Sequence, residues 1–323
     1  MQTFALFLLM LAPAAHAELV RYTTGSPDDV RPRLHGPVLD LAGGGADVVP
    51  ALQAMIDQVR GCSRCPTKLD LVVLRASGAD GYNDFLMALD GVDSVVTLVI
   101  TDRDSANREE VARQVRDAEI VFFAGGDQCN YVRWLKGTRT AEAVKAVYRR
   151  GGGVGGTSAG LAIQSDVIYD ACPSQSAQSK HVLADPFSVD VSLSRGFFTW
   201  PILRGTISDT HFKQRDRMGR LLVFIARAIH DGQGKSFLGI GVSERTSLLV
   251  GRDGTARVMG EGPVYLVLGD HKPEVCQRGK PLTFRGFKEW VLASGGKVDL
   301  GRRPRTEYKV IDVVEGVLSA DPY

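Results

Sequence analysis

Residues 69–74 (LDLVVL), 94–100 (SVVTLVI) and 120–123 (IVFF) are short, nearly unbroken apolar runs, and they alternate with stretches of helical periodicity. A strand apolar on both sides must be covered on both faces. The common solution is a parallel sheet with a helix in each crossover. Residues 37–41 read as a further strand running into Gly43-Gly44-Gly45, and 48–59, 107–118 and 140–150 read as helices. A short strand approach at 152–155 follows, then a strand at 205–208, a helix over about 214–230 and a strand at 238–242. The runs 247–250, 256–259 and 264–268 are broken by glycine-rich turns, the pattern of a β-meander. With 323 residues, 44% of them hydrophobic, the chain can bury a core without help from a metal. The expectation is therefore α/β. A mostly parallel sheet carries helices on both faces and a C-terminal meander at its edge, all in one domain over 18–323.

The first residues depart from this pattern. Residues 4–11 form an apolar run, followed by Ala12-Pro13-Ala14-Ala15-His16-Ala17, with Ala15 and Ala17 spaced as at an export cleavage site. The run is too short to span a bilayer. Residues 1–17 thus read as a signal peptide. The mature chain would begin at Glu18, be periplasmic or extracellular, and have no membrane attachment. Export permits disulfides among Cys62, Cys65, Cys129, Cys172 and Cys276. Cys62 and Cys65 are spaced for a local bridge, and no second pair stands at zinc-ribbon spacing. Five is odd, so at least one thiol stays free or pairs between chains. A net charge of +2 and the lack of a basic block give no electrostatic case for nucleic acid.

In sheets of this kind ligands sit beyond the carboxyl ends of the strands. There the sequence places Gly156-Thr157-Ser158-Ala159-Gly160, a G-x-S-x-G between a strand and a helical stretch. Such a turn lifts a serine hydroxyl above the sheet, and its small neighbours allow a tight backbone and close substrate approach. A phosphate loop is the competing use of a glycine-rich turn, but no G-K-[ST] follows. Gly125-Gly126-Asp127-Gln128 ends the IVFF strand. Gly126 could join the amide of Ala159 in an oxyanion hole. Equally, Asp127 could simply cap the next helix.

A serine nucleophile needs a base that is neutral near pH 7. His211 alone among the histidines stands just after an expected strand and before a long helix. Arg215, Arg217 and Arg220 follow it. Were they all helical, Arg215 would share a face with His211, while Arg217 and Arg220 would lie roughly opposite. Glu244 closes a strand end (GIGVSE) and could orient the histidine.

Together, GGDQ at 125–128, GTSAG at 156–160, D-x-HF-x-x-R-x-R-x-x-RL at 209–221 and G-I-G-x-x-E at 239–244 resemble the cyanophycinase branch of the cyanophycinase and aspartyl-dipeptidase family. The resemblance implies a flavodoxin-like, class I amidotransferase-like fold and a serine peptidase. Ser158 would be the nucleophile, His211 its base and Glu244 the third member. It also implies that Gln128, Asp209, Arg215, Arg217 and Arg220 line a pocket for a β-aspartyl (isoaspartyl) peptide or for cyanophycin, the Asp-Arg storage polymer. Such a triad needs no metal or organic cofactor, and a homodimer is compatible with the reading. The chain departs from the family pattern at Leu161, Thr210 and Arg245 and in a lengthened 171–196 span. Two other readings compete. An α/β-hydrolase esterase would order its triad Ser, acid, His, and so would use His230 or His271 after an acid such as Asp209. A non-catalytic secreted binding protein would keep only the pocket.

Overall fold

The computed structural model describes residues 19–172, 176–304 and 306–323; the expected signal peptide lies outside them. The first half supplies β1 (Val20–Gly25), β2 (Val38–Ala42), β3 (Leu69–Arg75), β4 (Val92–Val99), β5 (Ile120–Phe123) and β6 (Gly153–Thr157). Between them lie α1 (Val49–Arg60), α2 (Asn83–Met87), α3 (Arg103–Asn107), α4 (Glu109–Asp117), α5 (Gln128–Leu135) and α6 (Arg139–Arg149). The apolar runs pair as expected: β4, β3, β5, β6 and β2 stand side by side and parallel. Strand β1 adds antiparallel to β4 at one edge.

Beyond β6 the chain does not extend this parallel sheet. The next helix, α7 (Ala159–Ala162), has four residues. A parallel crossover takes a dozen residues or more, so the chain cannot return across the sheet and begins another. This second sheet opens with β7 (Val167–Tyr169), and α8 (Ser179–Ala184) and β8 (Leu193–Arg195) follow. Next come β9 (Thr206–Asp209), α9 (Met218–His230) and β10 (Phe237–Val242), with β9 parallel to both β7 and β10.

The expected edge meander is likewise divided. Strands β11 (Thr246–Val250) and β12 (Thr255–Gly260) return to the first sheet, where β11 lies antiparallel to β2. Strand β13 (Val264–Gly269) joins β10 in the second. The remaining strands are β14 (Phe284–Leu292), β15 (Lys297–Asp299), β16 (Lys309–Val314) and β17 (Val317–Leu318). Of these, β15 completes a nine-stranded first sheet and the others complete an eight-stranded second. The architecture is thus α/β with two mixed sheets around parallel cores, rather than one sheet with a meander.

Packing follows from the side-chain alternation. Met55, Ile56 and Val59 of α1 cover one face of the first sheet with Leu71, Val73 and Phe122. On the other face, Val111 and Val115 of α4 and Val144 and Val147 of α6 share a core with Leu238, Ile240 and Leu266 of the second sheet. The far side of the second sheet is covered by α9, through Leu221, Phe224 and Ile225. The carboxyl ends of β6, β9 and β10 converge where the two sheets meet.

Candidate active site

Ser158 stands between β6 and α7 with φ +52° and ψ −114°. Few non-glycine residues adopt such angles, and functional sites are where they concentrate. The neighbouring glycines make the turn sterically possible. A Cβ on Gly156 would lie 2.5 Å from the carbonyl carbon of Gly160, and one on Gly160 would lie 2.1 Å from the Phe123 oxygen. The Ser158 amide donates to the Ala42 carbonyl at 3.0 Å, which fixes the turn to the end of β2.

The Ser158 Oγ lies 2.8 Å from His211 Nε2, and His211 Nδ1 lies 2.6 Å from Glu244 Oε1. A carboxylate only accepts, so the proton sits on Nδ1 and Nε2 is left to accept from the serine hydroxyl. Burial pushes the His211 pKa below its ordinary value, and the cations of Arg215 and Arg217 add to that, against the opposing effect of the hydrogen bond that His211 donates to Glu244. The imidazole is therefore neutral at pH 7, the state in which it can take the serine's proton.

His211 is held on three sides. Its amide donates to the Gly43 carbonyl at 2.7 Å. Its ring lies close against Gly44, where an added Cβ would stand 2.4 Å from Cε1. Glu244 occupies the connection from β10 to β11, and the following amide, of Arg245, donates to the Gly44 carbonyl. In the sequence Gly43-Gly44-Gly45 reads only as the end of a strand. Its position beyond the carboxyl end of a parallel strand was the signal that it belongs to the site.

A cavity of about 360 Å³ opens on the serine. It is lined by Gly126, Gln128, Ser158 and His211, and by Arg215 and Arg217. Gly126 has φ +147° with open space where a side chain would be. Ala159 is buried, and its amide, first in α7, has no carbonyl of its own helix to bond. Asp127 caps α5, accepting from the Cys129 amide at 2.8 Å. Arg133 and Ser176, to which no sequence motif points, also line the cavity, as does Thr210, one of the departures from the family pattern. Cys129 and Cys172, both in its wall, are joined by a disulfide, as are Cys62 and Cys65, while Cys276 is free and buried. A larger cavity, about 650 Å³, lies around Asp70 at the amino end of β3, away from the triad.

The arginine motif is arranged differently from the helical expectation. Helix α9 starts only at Met218, and the preceding segment is irregular, with positive φ at His211 and Asp216. Arg215 and Arg217 therefore both reach the cavity. Arg217 donates to the Thr210 carbonyl at 2.8 Å, and burial pulls its pKa down to about 10, so it remains a cation. Asp209 and Arg220, expected to meet substrate, instead pair with each other behind the cavity wall. Arg220 Nε lies 2.6 Å and Nη2 2.5 Å from the two Asp209 oxygens, and Arg220 Nη1 reaches Ser176 and the Ala177 carbonyl. Arg220 also lies over the Tyr169 ring, 4.9 Å from its centre. The first turn of α9 buries this guanidinium under the loop that follows β7, which consumes its donors. The histidines that an esterase order would require are elsewhere: His230 and His271 each sit beside a surface aspartate, Asp231 and Asp270.

No protein-family model matches the chain. The cyanophycinase of Synechococcus elongatus is 28% identical over 255 residues, covering 79% of this chain and 69% of its own length. That of Trichormus variabilis is 28% identical over 219 residues, 66% and 67% of the two chains. The chain is a distant homologue of cyanophycinases. A solved peptidase from an acI-B1 actinobacterium has the same fold, with a TM-score of 0.55 at 17% identity over 83% of this chain and 98% of that one. Homology to cyanophycinases thus spans both sheets and the segments that bear Ser158, His211 and Glu244.

Proposed function

We propose that this chain is an exported serine peptidase that hydrolyses amide bonds at aspartyl residues, foremost β-linked (isoaspartyl) ones. The observation that carries the reading is the continuous hydrogen-bonded series Ser158, His211, Glu244, opening on a cavity that presents Arg215 and Arg217. As Ser158 Oγ bonds to the scissile carbonyl carbon, His211 Nε2 takes the hydroxyl proton, and Glu244 stabilises the imidazolium. The oxyanion is received by the amides of Gly126 and Ala159, each worth roughly 3 kcal/mol. His211 gives its proton to the leaving amine as the C–N bond breaks. A water then repeats the sequence on the acyl-enzyme and frees the serine. No step calls for a metal or organic cofactor.

A β-linked aspartyl residue keeps its α-carboxylate free beside the scissile carbonyl, and a guanidinium can hold it through two parallel hydrogen bonds. Substrates without that carboxylate would leave the cation unpaired, which gives discrimination. Homology to cyanophycinases makes the Asp-Arg polymer cyanophycin the first polymer to test.

Products from β- and α-aspartyl dipeptides and from insoluble cyanophycin, identified by mass spectrometry, test the reading. β-Aspartyl bonds should be cleaved, and Ser158→Ala should lower turnover by about 10⁴-fold or more. Full turnover by Ser158→Ala overturns the mechanism. Cleavage of simple esters but no aspartyl peptide would favour the esterase. Export rests on residues 1–17 and agrees with two disulfides in the folded chain. N-terminal sequencing of the natural protein should begin at Glu18, and an intact Met1 in the cytosol would contradict it.

A further inference from the structure

Helix α9 opens without a cap of its own: Arg217 stands at the N-cap and makes no side-chain cap bond. The first amides of a helix have no partner within it. Two hydroxyls from elsewhere in the chain supply one each. Tyr323 Oη accepts from the Met218 amide at 2.9 Å, and Ser179 Oγ accepts from the Arg220 amide at 3.2 Å. The Tyr323 hydroxyl in turn donates to the Asp216 carboxylate at 3.1 Å, and Ser179 donates to the Asp216 carbonyl. Asp216 has positive φ, a backbone state that persists where the surroundings over-determine it. The Tyr323 ring also meets the other end of this segment, edge-on to Phe212 at 6.3 Å between centres and to Tyr265 at 5.6 Å. One side chain, 105 residues beyond Met218, thus touches residues 212, 216 and 218.

Tyr323 is itself tied down. Its amide donates to Asp321 Oδ1 at 3.0 Å, and Lys309 of β16 donates to the Asp321 carbonyl. Burial raises its pKa above the ordinary value, so the hydroxyl keeps the proton that it donates to Asp216. Arg215 and Arg217, the two arginines of the segment that line the cavity, lie between its contacts at 212 and 218. His211 has holds of its own, from Gly43, Gly44 and Glu244. We infer that Tyr323 is a positioning residue whose hydroxyl sets the arginine arm of the cavity while the pair Ser158 and His211 stands without it. The inference rests on the anion-binding role that the proposed function gives Arg215 and Arg217, and it adds a residue that belongs to no motif.

Tyr323→Phe keeps the ring and removes both bonds of the hydroxyl. Its KM for a β-aspartyl dipeptide should rise by about fivefold, the effect of one ordinary hydrogen bond, with kcat within about twofold of native. A second readout does not depend on turnover. A neutral fluorophosphonate labels Ser158 at a rate set by the serine and its histidine, whereas one bearing a carboxylate is also drawn by the arginines. Intact mass gives both rates. The native chain should favour the anionic reagent, and Tyr323→Phe should shrink that preference by about threefold while the neutral rate stays within about twofold of native. A lower melting temperature with native KM and native labelling preference would make Tyr323 a structural residue only, and overturns the inference. A native chain that shows no preference overturns it too, as does a neutral rate that falls as far as the anionic one. If the native chain cleaves no β-aspartyl peptide but its labelling preference responds to Tyr323→Phe, the substrate reading falls and this inference stands. If it cleaves them with a KM indifferent to Tyr323→Phe, only this inference falls.

Discussion

A methyl group on Gly44 would stand 2.4 Å from Cε1 and 2.5 Å from Nε2 of His211, so the imidazole occupies the space that any other residue would need. Gly44 also has φ +102°, a conformation that L side chains rarely adopt. Gly44→Ala should therefore push the ring away from Ser158 and lower kcat by about 100-fold. The melting temperature should fall only by the few degrees that a strained backbone position costs. Native kcat in this variant would show that the ring has another resting place. The sequence made Ser158, His211 and Glu244 legible because the chemistry demands those residue types just beyond strand ends. It could not show which way a charge points. Asp209 and Arg220 carry the same motif as Arg215 and Arg217, yet they are buried against one another. Asp209→Asn should leave the Arg220 guanidinium buried without its counter-charge, a loss of about 3–5 kcal/mol. Urea unfolding would read this as a lower midpoint. A raised KM with an unchanged midpoint would instead return Asp209 to the substrate.

At the scale of elements, the apolar strands and the helices between them were legible because their periodicities differ. What was not legible came from lengths and pairings. Four residues of α7 are too few to recross the first sheet, and this sends the chain into a second. The helix expected from about 214 starts only at Met218, because positive φ at His211 and Asp216 keeps the segment before it irregular, and this is why both Arg215 and Arg217 face the cavity. The bridge from Cys129 to Cys172 ties the start of α5 to the loop after β7. It closes a loop across a separation of 43 residues, a constraint worth roughly 4 kcal/mol in the unfolded chain. Because both cysteines line the cavity, Cys172→Ser should loosen one wall of it. KM for an aspartyl peptide should rise by about fivefold, with kcat changed less. Cys62→Ser, outside the cavity, should leave KM as it is. Equal effects of the two substitutions would mean that the bridges act on stability alone.

Across the whole molecule, the triad belongs to neither sheet. Ser158 follows β6 of the first, His211 follows β9 of the second, and Glu244 lies where the chain passes from β10 in one sheet to β11 in the other. The alternation of strands and helices predicted a parallel core but could not reveal this division, since pairing between distant strands is written in neither periodicity nor composition. The first sheet is also closed late: β11 and β12 reach it only after four of the second sheet's eight strands, and β15 only after six. A growing chain therefore carries its serine long before it has a histidine or a glutamate to place beside it. During that interval Ser158 is an ordinary alcohol, because nothing can remove its proton. The order of strands thus acts as a timer. A nascent molecule therefore holds its serine without partners until the segment that carries Glu244 has docked, and the series Ser158, His211, Glu244 is complete only then.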